Sequence, residues 1–204
     1  MPLSPSVSRR VLRHTRAITV QAYARDDGLW DIDARLTDLK TSAAALASGP
    51  RPAGMPLHDL HLRLTIDRDL FIVDAEAAFD AVPYPGDCDT ISPAYKALIG
   101  LSLLKGFRRD LKQCLAGTLG CTHLTELAQV LPTAAIQAFA GDVISTRDGA
   151  QDDQGERPFQ IDKCHALRSD GPAVVRYYPR WIHNANLNAD PNADPSADPK
   201  AEFD

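Results

Sequence analysis

The run Ile18-Thr19-Val20-Gln21-Ala22-Tyr23-Ala24-Arg25-Asp26-Asp27-Gly28-Leu29-Trp30-Asp31-Ile32-Asp33-Ala34-Arg35-Leu36-Thr37 holds two alternating stretches around a turn. In the first, Ile18, Val20 and Ala22 alternate with Thr19, Gln21 and Tyr23. In the second, Trp30, Ile32, Ala34 and Leu36 alternate with Asp31, Asp33, Arg35 and Thr37. Successive side chains of a strand point to opposite faces, so a period of two predicts strands with one apolar face. Asp26-Asp27-Gly28 between them reads as a hairpin turn, because glycine takes the positive φ that such turns need. Asp31 and Asp33 then form the polar face of an edge strand. The other use of these four carboxylates is a hard-cation site or an acid–base pair.

Working outward, Leu60, Leu62, Leu64 and Ile66 alternate with His61, Arg63 and Thr65, which predicts a third strand. By parity His58 falls on its apolar side and His61 faces solvent. Asp67-Arg68-Asp69 turns the chain into a fourth strand over 70–77, with Phe71, Val73 and Ala75 on one face. Residues 40–56, rich in Ala, Gly and Pro, predict a short helical turn and a loop. Pro83, Pro85 and Gly86 leave Cys88 in a loop.

From Ala94 the apolar spacing becomes helical. Ser92 is a suitable N-cap, Pro93 suits the first helical position, and Gly117 and Gly120 mark the end. Leu124, Leu127, Ala128, Leu131, Ala135 and Phe139 predict a second helix, kinked but continuous at Pro132. Two short extended segments, 159–164 and 174–178, are candidates to join the sheet. The predicted fold is α+β: an antiparallel sheet of four or more strands with two main helices packed on one face. Residues 1–13 read as a flexible basic arm and 14–183 as a single α+β domain with a polar loop over 141–157. Residues 184–204 carry an Ala-Asp-Pro repeat of period four, too proline-rich and polar to pack, and read as a disordered tail.

The bulk numbers bound the function. Hydrophobic residues are 44% and charged residues 24% of the 204, an ordinary globular balance. The net charge of -5 argues against nucleic acid as a partner. No apolar run approaches the roughly 18 residues that span a bilayer. No secretory leader is evident, so the expectation is a soluble cytoplasmic protein with no membrane partner. The 4 cysteines are too few and scattered for a disulfide scaffold, which points to free thiols that pack or bind metal.

The candidate chemistry lies at element boundaries. Cys121 and His123 sit at a helix start, where a thiol's pKa is lowered. Cys88 lies in the loop after the sheet and His58 at a strand start. Two thiolates and an imidazole suit zinc or iron–sulfur chemistry, so the expected metal ligands are Cys88, Cys121, His58 and His123, with Asp59, Asp87 or Asp89 as alternative fourth donors. The plainer reading makes Cys121 a small packed residue and His58 a hydrogen-bonded core histidine. Cys114 lies in a helix's apolar run and reads as packing. Cys164-His165 ends an extended segment and either approaches the same site or packs elsewhere. If the protein is an enzyme, Cys121 is the nucleophile. His123, two residues on around a helix, points elsewhere, so His58 or His165 is the better base. No phosphate-cradling glycine loop, GxSxG elbow or HExxH pair is present.

Arg9-Arg10, the stretch from Tyr23 to Asp31, His58-Asp59-Leu60, Gly120-Cys121-Thr122-His123-Leu124 and Cys164-His165 together resemble the proteobacterial domain-of-unknown-function family 2889, which carries no established activity. More distantly, the chain resembles NifU/IscU-type iron–sulfur cluster scaffold proteins. The strand from His58 to Ile66 resembles their first ligand-bearing strand, with His58 in place of a cysteine. The stretch from Asp74 to Cys88 resembles the strand leading to the second cysteine. Leu103-Leu104-Lys105-Gly106 resembles the helix end that follows, and Gly120-Cys121 the final His-Cys pair. That resemblance implies ligation by Cys88 and Cys121, with Gly120 standing where the scaffold has histidine and His123 one turn away. The leading expectation is a small scaffold-like metal-binding protein holding zinc or an iron–sulfur cluster. The alternatives are an enzyme with Cys121 as thiolate nucleophile and a metal-free accessory module that binds a protein partner.

Overall fold

The computed structural model describes residues 3–146 and 157–183. The chain divides into two compact units, one ending at Phe139 and the other starting at Ala140. The tail over 184–204 and most of the polar loop, 147–156, lie outside the described residues.

The first unit is built on a four-stranded antiparallel sheet in the order β1-β2-β5-β6. The strands are β1 (His14–Ala24), β2 (Trp30–Lys40), β5 (Pro56–Ile66) and β6 (Ile72–Ala81). The β1–β2 hairpin turns where the sequence predicts, with Gly28 at φ 84°. Directly opposed residues share a face, so the register stacks apolar rows across the sheet: Ile18–Leu36–Leu60, Val20–Ala34–Leu62 and Ala22–Ile32–Leu64. Leu36, Leu60, Ile32 and Leu64 are fully buried. Contrary to the edge-strand reading, β2 is central and paired on both sides, and its carboxylates are engaged across the open face. Arg63 bonds Asp33 at 2.6 and 2.8 Å, and Thr65 donates to Asp31 at 2.7 Å.

The residues expected to form a helical turn and loop over 40–56 instead form a small hairpin, β3 (Ala44–Leu46) with β4 (Gly49–Arg51), closed by Gly49 at φ 118°. The fourth strand lies later than expected and its parity is broken. Register shifts against β5 bring both Ile72 and Ala75 into the core and leave Phe71 and Val73 exposed.

The single helix expected from Ala94 is also corrected. 3-10 turns run over Cys88–Leu98, and the chain then extends before α1 (Phe107–Leu115). Gly100 at φ 88° and Gly106 at φ 68° interrupt it, and the intervening backbone bonds the start of β6 instead: Ile72 N–H to the Leu101 carbonyl and Gly100 N–H to the Ile72 carbonyl. The second expected helix divides into α2 (Thr122–Ala128) and α3 (Leu131–Phe139). Pro132 lies in the first turn of α3, where its missing N–H leaves no bond unmade, so it starts a helix instead of kinking one. The apolar stripe is as read: Leu124, Leu127, Ala128, Leu131, Ala135 and Phe139 are all fully buried. Phe139 meets Trp30 of β2 with ring centroids 5.0 Å apart.

In the second unit the expected extended segments are absent among the described residues. The stretch 159–164 is turn, and α4 spans Pro172–Tyr177. The Thr146 carbonyl accepts bonds from the Gln160 amide and the Tyr178 hydroxyl.

Candidate functional site

The apolar rows of the sheet end in a charged one. Arg16 of β1 pairs with Asp38 of β2, and Asp38 with His58 of β5, so all three side chains leave the helix-covered face side by side. Asp38 continues the phase of Ile32, Ala34 and Leu36 and is only 3% exposed. A carboxylate there is tolerable only if its lone pairs are taken up. Oδ1 accepts from His14 Nε2 at 2.8 Å and Arg16 Nε at 2.9 Å. Oδ2 accepts from Arg16 Nη2 at 2.8 Å and His58 Nδ1 at 3.0 Å. All four lone-pair sites are thereby filled.

Burial pushes the Asp38 pKa up, but the bonds from Arg16 and His14, the Arg16 charge and the His58 bond outweigh it and hold the carboxyl at about 2. Asp38 is therefore an acceptor only, and His58 must carry a proton on Nδ1, which points Nε2 away from Asp38. Arg16 is held firmly charged by the same Asp38 bonds. It also donates from Nη1 to Glu126 of α2 at 2.6 Å, which ties the sheet row to the helix layer.

α2 supplies the next group. Cys121 is its N-cap residue and His123 lies in its first turn. The His123 ring stacks on His58 with centroids 3.8 Å apart and an interplanar angle of 33°. Burial first, then the neighbouring His58 and Arg16, lowers the His123 pKa, so the neutral imidazole prevails at neutral pH. The start of α2 is fixed by Tyr95, a fully buried side chain. Its hydroxyl accepts from Cys121 N–H at 3.1 Å and donates to the Cys121 carbonyl at 3.0 Å.

Ligand atoms of Asp38, His58 and His123 all lie within 4.8 Å of one another. So do those of Asp59, His61 and Asp80 on the open face, where Asp59 is bound to Arg35 at 2.7 and 2.6 Å. Among the described residues these are the groups of three or more metal-type donors, and neither contains sulfur. Of the four expected ligands, the structure thus unites His58 and His123. Cys88, at the head of the 3-10 turns, and Cys121 belong to neither group. Cys114 is half-buried, its thiol bonded to the Leu111 carbonyl at 3.6 Å, and burial raises its pKa. Cys164 and His165 lie in the second unit, where Cys164 is exposed.

Sequence reasoning missed Asp38, Arg16 and His14. The signal was present, since Asp38 and Arg16 occupy the apolar phase of their strands, where a charged residue needs a partner.

The sequence matches the family described as Protein of unknown function (DUF2889) over residues 14–137. The chain belongs to that family. The matched stretch runs from the first residue of β1 almost to the end of α3, and it contains Arg16, Asp38, His58 and His123 as well as Cys88 and Cys121. No curated protein and no solved structure matches the chain. No helix among the described residues is long and apolar enough to cross a membrane.

Proposed function

We propose that this is a small metal-binding protein whose ion is held at the nitrogen edges of His58 and His123, with Asp38 as the group that orients His58. The observation that carries this reading is the stacked imidazole pair, contributed by a strand and a helix beside a buried, ionised carboxylate. Two imidazolium rings 3.8 Å apart would repel. The burial that keeps His123 neutral leaves it in the form that ligates metals. The bond from His58 Nδ1 to Asp38 is the carboxylate–histidine arrangement that fixes a ligand's tautomer and raises its basicity.

A donor set of imidazoles without sulfur favours zinc over an iron–sulfur cluster, which needs thiolates. Because Asp38 has its lone pairs filled, the protein offers two ligands and leaves coordination positions open. That suits storage and delivery, a scaffold-like role, or polarisation of a bound water. The test is metal analysis of protein purified without chelator, followed by zinc titration against a chromophoric competitor. One ion per chain is expected, lost in His58→Ala and His123→Ala and kept in Cys88→Ser and Cys121→Ser. A protein that folds fully and takes up no metal, or one that loses it only with the cysteines, removes the reading.

A further inference from the structure

The two edges of the sheet are built differently. β6 is blunted: its pairing with β5 shifts register near both ends, Asp74, Glu76 and Asp80 line it, and Ile72 is already bonded on its outer side by Gly100 and Leu101. β1 has none of these protections. Its eleven residues pair with β2 in unbroken register, without bulge or proline, and no described strand pairs with its other side. Its charged side chains do not guard that edge, because His14 and Arg16 both turn back onto Asp38. The remainder, from Ala17 to Ala24, is uncharged and rich in β-formers, with Ile18 39% and Tyr23 47% exposed. Nor does the end of the arm fold over it, since the carbonyls of Leu12 and Arg13 accept from Thr41 just beyond β2.

We propose that this edge is a dimerisation surface, on which a second copy of the chain lays its own β1 antiparallel and joins two four-stranded sheets into one of eight strands. A two-fold axis normal to the sheet keeps like faces together. Centred on Val20, it sets Ile18 against the partner's Ala22 on the apolar face, and Thr19 against the partner's Gln21 on the open face. Charge selects this register. The chain before β1 is basic (Arg9, Arg10, Arg13) and the turn after it is acidic (Asp26, Asp27). The Val20 centre brings Arg13 opposite the partner's Asp27 and His14 opposite the partner's Asp26, whereas a centre on Thr19 would oppose Arg13 and the partner's Arg25. Exposed Val11 and Leu12 gain cover from the partner's hairpin in the same step.

Sedimentation equilibrium of the full chain in reductant tests this. The expected mass is twice the 22.2 kDa of one chain. Thr19→Lys with Gln21→Lys, both exposed positions, opposes like charges twice across the axis and should weaken dimerisation by at least about tenfold while the circular dichroism of the monomer is unchanged. Arg13→Glu should weaken it too, and adding Asp27→Lys should restore it. A monomer at every concentration, a dimer indifferent to the paired lysines, or a failed charge-swap rescue each overturns the proposal.

Discussion

Replacing Asp38 with Asn keeps the shape of the side chain and removes its charge, so it isolates the electrostatic contribution of the buried row. The folded carboxyl titrates at about 2 against an ordinary 3.8. Each unit corresponds to about 1.4 kcal/mol, which makes the contribution about 2.5 kcal/mol at neutral pH. The sign follows from the direction. A depressed carboxyl pKa stabilises the fold above the unfolded value, and that stabilisation is lost as pH falls from about 4 towards 2. Asp38→Asn should therefore be less stable than the parent by about 2–3 kcal/mol at pH 7. The gap should narrow to about 1 kcal/mol at pH 3 and fall below about 0.5 kcal/mol at pH 2. His123 contributes in the same direction but higher on the scale, since its lowered pKa favours the fold above 6.5 and is felt on acidification below it. The two effects thus separate along the pH axis. Urea unfolding in a Trp181→Phe background reads the first unit alone, because the remaining tryptophan, Trp30, packs on Phe139. A gap that stays constant from pH 7 to pH 2, or one below about 0.5 kcal/mol at pH 7, would refute the claim that the charge of Asp38 holds the row together.

Two further perturbations probe the support of α2. Tyr95→Phe strips the buried hydroxyl from Cys121 N–H and should cost about 1–3 kcal/mol, with faster amide exchange confined to the start of α2. Gly120→Ala tests a close approach, because an added Cβ would lie 2.6 Å from the Leu115 carbonyl oxygen. Backbone must move, so the variant should melt well below the parent by calorimetry and show weaker zinc retention than Gly28→Ala. At Gly28 the added Cβ meets nothing within 4 Å, and only the φ of 84° opposes it.

What could be read beforehand followed from periodicity. β1, β2 and β5 keep strict alternation through long stretches, so their faces, the turn at Gly28 and the inward placement of His58 were all legible. The alternation around Leu70 sets β6 a few residues early because register shifts reset its parity, and a shift is a property of two strands together. The helices failed for a comparable reason. The spacing from Ala94 to Leu115 fits a helix, but the backbone of Gly100 and Leu101 finds its bonds on the edge of β6, a non-local partner that no local pattern announces. At Pro132 the stripe stayed in phase across a break, so hydrophobic phase alone could not distinguish a kink from a new helix. The cysteines suggest metal chemistry by residue type, whereas the cluster that forms is marked by charged residues in the apolar phase of their strands.

That position also explains why the row at Arg16, Asp38 and His58 invites a functional account. Isoleucine or leucine at these three sites would extend the apolar rows and bury without desolvating charge, and such replacements are commonly neutral or stabilising. Burying a carboxylate instead obliges the fold to supply four donors, which it does from the ends of β1 and β5. The arrangement returns something that an apolar row would not: an imidazole held by its Nδ1–H on Asp38, with Nε2 uncommitted to that carboxylate, set against a second ring kept neutral by burial. If the row served packing alone, a double replacement of Arg16 and Asp38 by Met and Leu, which keeps both imidazoles, should hold or raise stability and leave every property of the protein in place. A loss of metal uptake from a variant made more stable would show that the charge is there for the imidazoles.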